Sequence, residues 1–234
     1  MKLKVMSIAL GLGAMALVSC NQTGNKDVAL NNEIDSVSYS IGLNFGSNLK
    51  KSNITEFNEA ALLAGIYSVI EDDSLKISLQ ESGSVINNYI RGLQAKIGEE
   101  NIAKGEKFLS DNAKKDGVVT TESGLQYRVI TEGTGDKPAA TDQVKVHYRG
   151  TTIDGKEFDS SFKRKQPATF AANRVIKGWT EALQLMPVGS KYELFIPAKL
   201  AYGSRGAGSD IGPNETLIFE VELLEIIKPE EPKK

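Results

Sequence analysis

The chain has 234 residues, enough for one large domain or two modest ones, and its formal net charge is −2. Acidic and basic residues are interspersed and no block of Lys and Arg occurs, which argues against a nucleic-acid partner. The chain holds one cysteine and one histidine, which excludes an intrachain disulfide and a centre built from several histidines. No phosphate loop or dinucleotide fingerprint is present, and we expect neither a metal nor a cofactor.

Residues 1–19 are predicted to be a signal peptide. Two lysines precede the apolar run Val5–Val18, which is too short to span a bilayer comfortably. The run ends in Leu17-Val18-Ser19-Cys20, which resembles the bacterial lipobox, whose cysteine is lipidated and becomes the mature N-terminus. We therefore predict lipidation at Cys20; a plain secretory signal and a signal anchor are the alternatives.

The residue after the cysteine bears on which membrane holds the protein. Asn21 stands where an inner-membrane retention signal would place Asp. Resemblance to lipoprotein sorting rules thus implies a bacterial outer-membrane lipoprotein that faces the periplasm, with surface exposure possible. Residues 20–32 are polar and are predicted to form a flexible tether.

Residues 33–77 are predicted to form a helical dimerisation domain. The segment 37–45 alternates with period two, which on pattern alone favours a strand. We predict a helix, partly because of the resemblance given below and because Gly42 and Gly46 would let a partner helix approach closely. A second short helix lies near residues 57–69, with Thr55 as a candidate cap. So small an apolar segment would not bury itself well alone, so we expect a homodimer.

Residues 78–117 are predicted to form a long connecting helix. Ser78-Leu79-Gln80-Glu81 matches a capping box, and Asp116-Gly117 supplies a stop. Apolar residues in between recur every three or four positions, namely Ile86, Ile90, Leu93 and Ile97. The second half, Glu99–Lys115, is polar, and we predict a solvated strut that holds two domains apart. The alternatives are two helices broken near Gly98, or a helix packed on its own domain.

Residues 118–228 change to short β-rich runs separated by turn signals. The predicted strands are residues 126–130, 143–148, 191–196 and 217–224. One short helix, which holds the chain's single tryptophan, Trp179, interrupts them. This order predicts an α+β domain in which an antiparallel sheet packs on one helix. Residues 229–234 are predicted to be a disordered tail.

The residue inventory limits the chemistry. His147 shares the polar face of its strand with Lys145 and Arg149, which predicts a surface or edge histidine. Trp179 is either an ordinary core residue or an apolar plate for a ligand. Asp159 follows an aromatic residue and lies five residues before Arg164, which suggests a pocket wall, although a surface ion pair is the alternative. A chain so equipped either binds ligands or catalyses a reaction that breaks no bond.

Five motifs in order resemble the signature of the FKBP-type peptidyl-prolyl isomerases. They are Val146-His147-Tyr148-Arg149-Gly150, Phe158-Asp159-Ser160-Ser161, Val175-Ile176-Lys177-Gly178-Trp179, Leu200-Ala201-Tyr202-Gly203 and Thr216–Leu223. Residues 178–187 and 212–219 further resemble the macrophage infectivity potentiator subgroup and its periplasmic relatives, as does the front half. The resemblance implies an FKBP-like fold preceded by an all-helical dimerisation domain and a long connecting helix.

The resemblance also implies the activity, a peptidyl-prolyl cis-trans isomerase that assists the folding of exported proteins. Catalytic roles fall on Asp159, Tyr202, Trp179 and Phe219. Substrate-binding roles fall on Tyr148, Phe158, Arg164, Phe170, Val175, Ile176 and Ile211. The implied partners are unfolded or proline-containing polypeptides and macrolide inhibitors. Ala168, Ala207 and Asp210 depart from the common family pattern, which bears on substrate preference.

Two other functions remain open at this point. A periplasmic holdase chaperone, or binding lipoprotein, would use the same pocket with little turnover. A surface lipoprotein that contacts host or matrix proteins is the third hypothesis.

Overall fold

The computed structural model describes residues 27–227. The predicted signal peptide, Cys20, most of the tether and the tail lie outside these residues. The described helices are α1 (Glu33–Lys51), α2 (Glu59–Ile70), α3 (Leu79–Asn112) and α4 (Lys177–Leu185). The strands are β1 (Val118–Thr120), β2 (Gln126–Thr131), β3 (Gln143–Thr152), β4 (Glu157–Ser160), β5 (Ala168–Ala171), β6 (Lys191–Ile196) and β7 (Leu217–Ile227).

These elements form two units: α1 and α2 belong to one, and α3, α4 and the strands belong to the other. Within residues 27–227, every helix is too short or too polar to serve as a membrane span.

The first unit is helical, as predicted, and the alternating segment 37–45 lies within α1. Helix α2 begins after Asn58, whose side-chain oxygen accepts a hydrogen bond from the Ala61 N–H at 2.9 Å. The prediction that Thr55 caps this helix is therefore wrong. Asn58, three residues later, accepts the hydrogen bond from the first turn instead. Neither helix buries any residue, so their apolar side chains face outward in the single chain.

Helix α3 is continuous for 34 residues, with no break at Gly98. The Ser78 hydroxyl accepts a hydrogen bond from the Glu81 N–H at 3.1 Å, which confirms the predicted N-cap. The helix ends at Asn112, a few residues before the predicted stop at Asp116-Gly117, and Gly117 takes a positive φ of 77°. At about 1.5 Å per residue, the helix is roughly 51 Å long.

The second half of α3 packs against the sheet through small residues. Gly98, Gly105 and Asn112 are seven residues apart and are the buried residues of this helix. A Cβ on Gly105 would overlap the Thr216 hydroxyl. Asn101 donates a hydrogen bond to the Pro213 carbonyl at 2.9 Å. The prediction of a strut solvated on all sides was therefore wrong for this half, because glycines let the backbone itself approach the neighbouring loop.

The sheet is antiparallel, in the order β1-β2-β6-β7-β3-β4, with β5 also paired to β3. The four predicted strands appear as β2, β3, β6 and β7. The three others have three or four residues each, too few to show alternation in the sequence. Strand β7 makes its longest pairing with β3. The other edge of β3 pairs first with β5 and then with β4.

Helix α4 covers one face of the sheet and closes the core. Gly178 permits this, because a Cβ there would collide with the Ile196 side chain. Trp179, Ala182 and Leu183 of the helix are buried together with the inward residues of β3, β6 and β7. The predicted α+β class, with a sheet on one short helix after a helical region, is confirmed.

Candidate active site

A cavity of about 460 Å³ opens on the sheet domain where α4 meets β3 and β7. Its volume lies in the range of small-ligand sites. Ten residues line it, and most are aromatic or aliphatic: Tyr148, Phe158, Asp159, Phe170, Arg174, Val175, Ile176, Trp179, Tyr202 and Phe219.

Trp179 is the hub of the aromatic wall. Its ring centroid lies 5.3 Å from those of Tyr148 and Phe219 and 5.7 Å from that of Phe170, with interplanar angles of 81–88°. These are edge-to-face contacts, which hold the rings in fixed directions. Trp179 is only 4% exposed, yet it still lines the cavity. The indole is therefore a floor set by its neighbours rather than a mobile side chain.

The strand registers explain how the sequence assembles this wall. Alternate residues of β3 point inward, which buries Tyr148 and Gly150 and turns the residues between them outward. Gly150 pairs with Phe219 on β7 and with Asp159 on β4. A Cβ on Gly150 would lie 2.6–2.7 Å from the rings of Phe158 and Phe219. The absent side chain therefore makes room for these two rings to meet at 5.5 Å.

The carboxylate of Asp159 is the charged group held most firmly at this wall. It accepts hydrogen bonds from the Tyr148 hydroxyl and from Arg164, and Arg164 also donates to the Tyr148 oxygen at 2.7 Å. Burial alone would raise the pKa of Asp159, but the hydrogen bonds from Tyr148 and Arg164 and the Arg164 charge lower the pKa below its usual value. Asp159 is therefore a fixed anion at neutral pH.

Two potential donors face the same space. Tyr202 is 40% exposed, and burial, followed by the nearby Asp159 charge, raises the pKa of its hydroxyl. The hydroxyl therefore keeps its proton at neutral pH. Ile176 is the N-cap residue of α4 and makes no side-chain capping hydrogen bond. The first backbone N–H groups of a helix have no partner within it, so they are available to a ligand.

Nine of the eleven residues predicted for the site line the cavity. Arg164 lies behind Asp159 and holds it, and Ile211 is buried in the adjoining core. Arg174 lines the cavity but was missed, because a charged residue just before the Val175-Ile176 motif carries no signal of its own.

The three departures from the family pattern lie around the cavity without lining it. Ala168 and Ala207 pack partly buried against the core, and Ala207 pairs with Ile211 in an isolated bridge. Asp210 forms an ion pair with Lys156 at 2.9 Å. This pair links the turn between β3 and β4 to the loop before β7.

His147 lies on the outward face of β3, half-buried. Its Nδ1 is 2.9 Å from the Ser161 hydroxyl, and its ring stacks on Phe162 at 4.8 Å. It does not line the cavity. Within residues 27–227, no group of three or more His, Cys, Asp and Glu side chains could hold a metal ion.

Known families match both parts of the chain. Residues 135–224 match the profile of the FKBP-type peptidyl-prolyl cis-trans isomerases, and residues 34–129 match the domain amino-terminal to such isomerases.

Individual proteins extend the match. The chain is 43% identical to the outer membrane protein MIP of Legionella longbeachae, over 97% of this chain and 99% of that one. It is 49% identical to the FKBP-type 22 kDa peptidyl-prolyl cis-trans isomerase of Escherichia coli K12, over 81% and 94%. The crystal structure of FkpA from Escherichia coli superposes with a TM-score of 0.64 at 36% identity, covering 85% of this chain and 98% of that chain.

Three observations indicate the same family. They are the aromatic cavity on a sheet closed by one short helix, the family match over that sheet and the relatives that match over nearly the full length. The chain belongs to the FKBP-type peptidyl-prolyl cis-trans isomerase family, in the group of the macrophage infectivity potentiator and FkpA proteins, and it is an enzyme of that class.

Proposed function

We propose that the aromatic cavity binds the proline ring of an unfolded polypeptide and lowers the barrier to rotation about the preceding peptide bond. The observation that carries this proposal is the Trp179 floor, ringed by three perpendicular aromatic rings. Trp179, Phe219 and Val175 select the apolar five-membered ring. Phe158, Phe170 and Tyr148 complete the wall around it.

The physical basis is the resonance of the amide. An X–Pro bond isomerises over tens to hundreds of seconds because twisting it destroys this resonance. The planar amide is more dipolar than the twisted one. A cavity walled by rings therefore disfavours the planar ground state more than the twisted state.

The polar groups at the rim act in the same direction. The fixed anion of Asp159 would lie near the carbonyl of the residue preceding proline, where it repels the partial negative charge of the planar amide oxygen. Twisting reduces that charge and relieves the repulsion. The Tyr202 hydroxyl and the Ile176 N–H would hold other carbonyls of the substrate in place, so that binding energy from flanking residues is used to favour the twisted state.

The required energy is modest. A thousandfold acceleration needs about 4 kcal/mol, at roughly 1.36 kcal/mol per factor of ten. Aromatic contacts and two or three hydrogen bonds supply this without any proton transfer.

The test is isomerisation of a proline-containing tetrapeptide by the full chain and by Asp159→Ala and Tyr202→Phe. Each substitution should lower kcat/KM by about tenfold, the value of one directed hydrogen bond or charge contact. Tyr127→Phe is the matched control, because Tyr127 stacks on Tyr192 outside the cavity. Unchanged activity in both site variants would show that these two side chains do not act on the bond.

We further propose that the protein works as a homodimer on exported polypeptides. Helices α1 and α2 bury nothing within the single chain, although they carry many apolar side chains. A second copy would cover these surfaces. The same surfaces favour the holdase hypothesis, since exposed apolar side chains also bind unfolded chains. Light scattering separates the two: a monomeric mass across micromolar concentrations, together with suppression of client aggregation, would favour the holdase.

We propose that the protein is located at the outer membrane, with Cys20 as the lipid-modified residue and the folded domains in the periplasm. The relative from Legionella longbeachae is called an outer membrane protein, which supports this address. Labelling with a fatty acid tests it: label on the wild-type chain and none on Cys20→Ser is the expected result. Label on neither chain contradicts the anchor.

A further inference from the structure

Arg174 is the cationic residue among the ten that line the cavity, and Asp159 is the anionic one. The Asp159 charge is already met by Arg164. Within residues 27–227, Arg174 takes part in none of the ion pairs that the structure forms, which instead join lysines and other arginines to carboxylates. The cavity is therefore lined by one carboxylate that is already paired and by one cation that forms no ion pair within the described residues.

The backbone that carries Arg174 is fixed. Its N–H donates to the Ala171 carbonyl at 2.9 Å, and the Ala172 N–H donates to the Asp142 carbonyl at 2.9 Å. The Thr180 hydroxyl of α4 donates to the Ala172 carbonyl at 2.8 Å. The turn is thus tied both to the loop before β3 and to α4. The guanidinium projects from a rigid base, although the side chain itself is exposed.

The N-terminus of α4 adds positive potential at the same place. The helix begins at Lys177, three residues after Arg174, and its N-cap residue Ile176 makes no side-chain hydrogen bond. The first turn of α4 contains no acidic residue and does contain Lys177. The positive end of the helix dipole is therefore not neutralised by its own sequence.

We infer that Arg174 is a specificity-determining residue that favours substrates with an acidic side chain directly after the proline. The inference rests on the proposed function, in which the carbonyl before proline lies near Asp159. The chain that leaves the proline then crosses the wall formed by Val175, Ile176 and Arg174. A Glu or Asp carboxylate there meets the guanidinium and the helix end, and a Lys at that position meets repulsion.

The experiment measures cis–trans exchange by NMR on three peptides of sequence Ala-Phe-Pro-Xaa-Ala, blocked at both ends, with Xaa as Glu, Gln or Lys. This assay needs no coupling protease, so the residue after proline can be varied freely. For the full wild-type chain, kcat/KM should be about threefold higher with Glu than with Gln, the size typical of an exposed charge contact. The Lys peptide should be slower than Gln, and both differences should shrink in 0.5 M salt, for which the Debye length is roughly 4 Å.

Three variants test the assignment. Arg174→Gln should bring the Glu-to-Gln ratio to about one, and Arg174→Glu should invert it so that Lys is preferred. Lys177→Gln removes the same charge from a neighbouring exposed position that does not line the cavity, and it should retain most of the preference. A ratio near one in the wild-type chain, or an equal loss of preference in Lys177→Gln and Arg174→Gln, overturns the role of Arg174 while leaving the isomerase intact. No catalysed exchange on any of the three peptides overturns the proposed function as well.

Discussion

Leu194 in strand β6 is 1% exposed, whereas Ile34 in helix α1 is 77% exposed. The sheet domain buries one cluster of apolar side chains that includes Trp179. Helices α1 and α2 carry a comparable set, yet they bury no residue. The sheet domain thus has a core of its own within the single chain, whereas α1 and α2 leave their apolar side chains exposed, as the proposed dimer would require.

The largest effect should come from the enclosed cluster. Leu194→Ala should lower the free energy of unfolding of the sheet domain by about 2–5 kcal/mol, because it removes buried surface and leaves a cavity. Ile130→Ala in the neighbouring strand is the control: its side chain is 48% exposed, and its cost should stay below about 1 kcal/mol. Urea unfolding followed by tryptophan emission measures both. Equal costs would mean that the sheet domain does not hold its core as described.

The next effect concerns the exposed helices. Ile41→Glu should weaken self-association by about 2–3 kcal/mol, roughly 30- to 150-fold in the dissociation constant, because one apolar contact is lost and a charge is placed against its former partner. Sedimentation velocity over a dilution series measures this. Ser47→Glu adds the same charge to α1 without removing an apolar side chain, and it should shift the constant less. An unchanged dissociation constant in Ile41→Glu would contradict a role for this face of α1 in the proposed dimer.

Helix α3 contains both kinds of environment, a closely packed glycine and an exposed one. Gly105→Ala should destabilise the sheet domain by about 1–3 kcal/mol through overpacking against Thr216. Gly92→Ala meets no atom within 4 Å and should stabilise the helix by up to about 1 kcal/mol, since alanine is the better helix former. Thermal unfolding of the two variants should therefore move in opposite directions. Movement in the same direction would contradict the close packing of the second half of α3.

The smallest effect is electrostatic. The pKa of Asp159 is lowered in the folded chain, so its ionised form stabilises the fold at pH values above the unfolded pKa of about 3.9. That contribution is lost as the pH falls from about 4 through the folded pKa. Asp159→Asn should therefore be less stable than wild type at pH 7, and the difference should narrow at pH 3. Asp154→Asn, an exposed aspartate in the turn after β3, should show a smaller difference at both pH values.

The sequence predicted the long strands and the short helix because β-rich runs bounded by turn residues leave a clear pattern. The sequence pattern did not predict the contacts that depend on glycine, which has no side chain. Gly98 and Gly105 contribute no hydrophobic signal, so the packing of α3 was invisible to a pattern that counts apolar side chains. Thr55 is a candidate cap on sequence alone, whereas Asn58 makes the capping hydrogen bond.

The cavity shows the same limit. The resemblance to known isomerases located nine of its ten lining residues, because most of them lie within the motifs that carry the resemblance. Arg174 lies outside the motifs, and its importance depends on which carboxylates are already paired. Spacing along the chain raised the pair of Asp159 with Arg164 as a possibility, but whether Arg174 also meets a carboxylate depends on three-dimensional proximity, which spacing does not reveal.

The single tryptophan of this chain forms the floor of the cavity. Intrinsic indole fluorescence is therefore a built-in optical probe of one site. A peptide or macrolide that enters displaces solvent beside the ring and should alter its emission, so affinity can be read from an unlabelled sample. Helices α1 and α2 contain no tryptophan, so their unfolding does not change tryptophan fluorescence directly. Circular dichroism measured together with fluorescence would therefore distinguish unfolding of the helical unit from unfolding of the sheet domain.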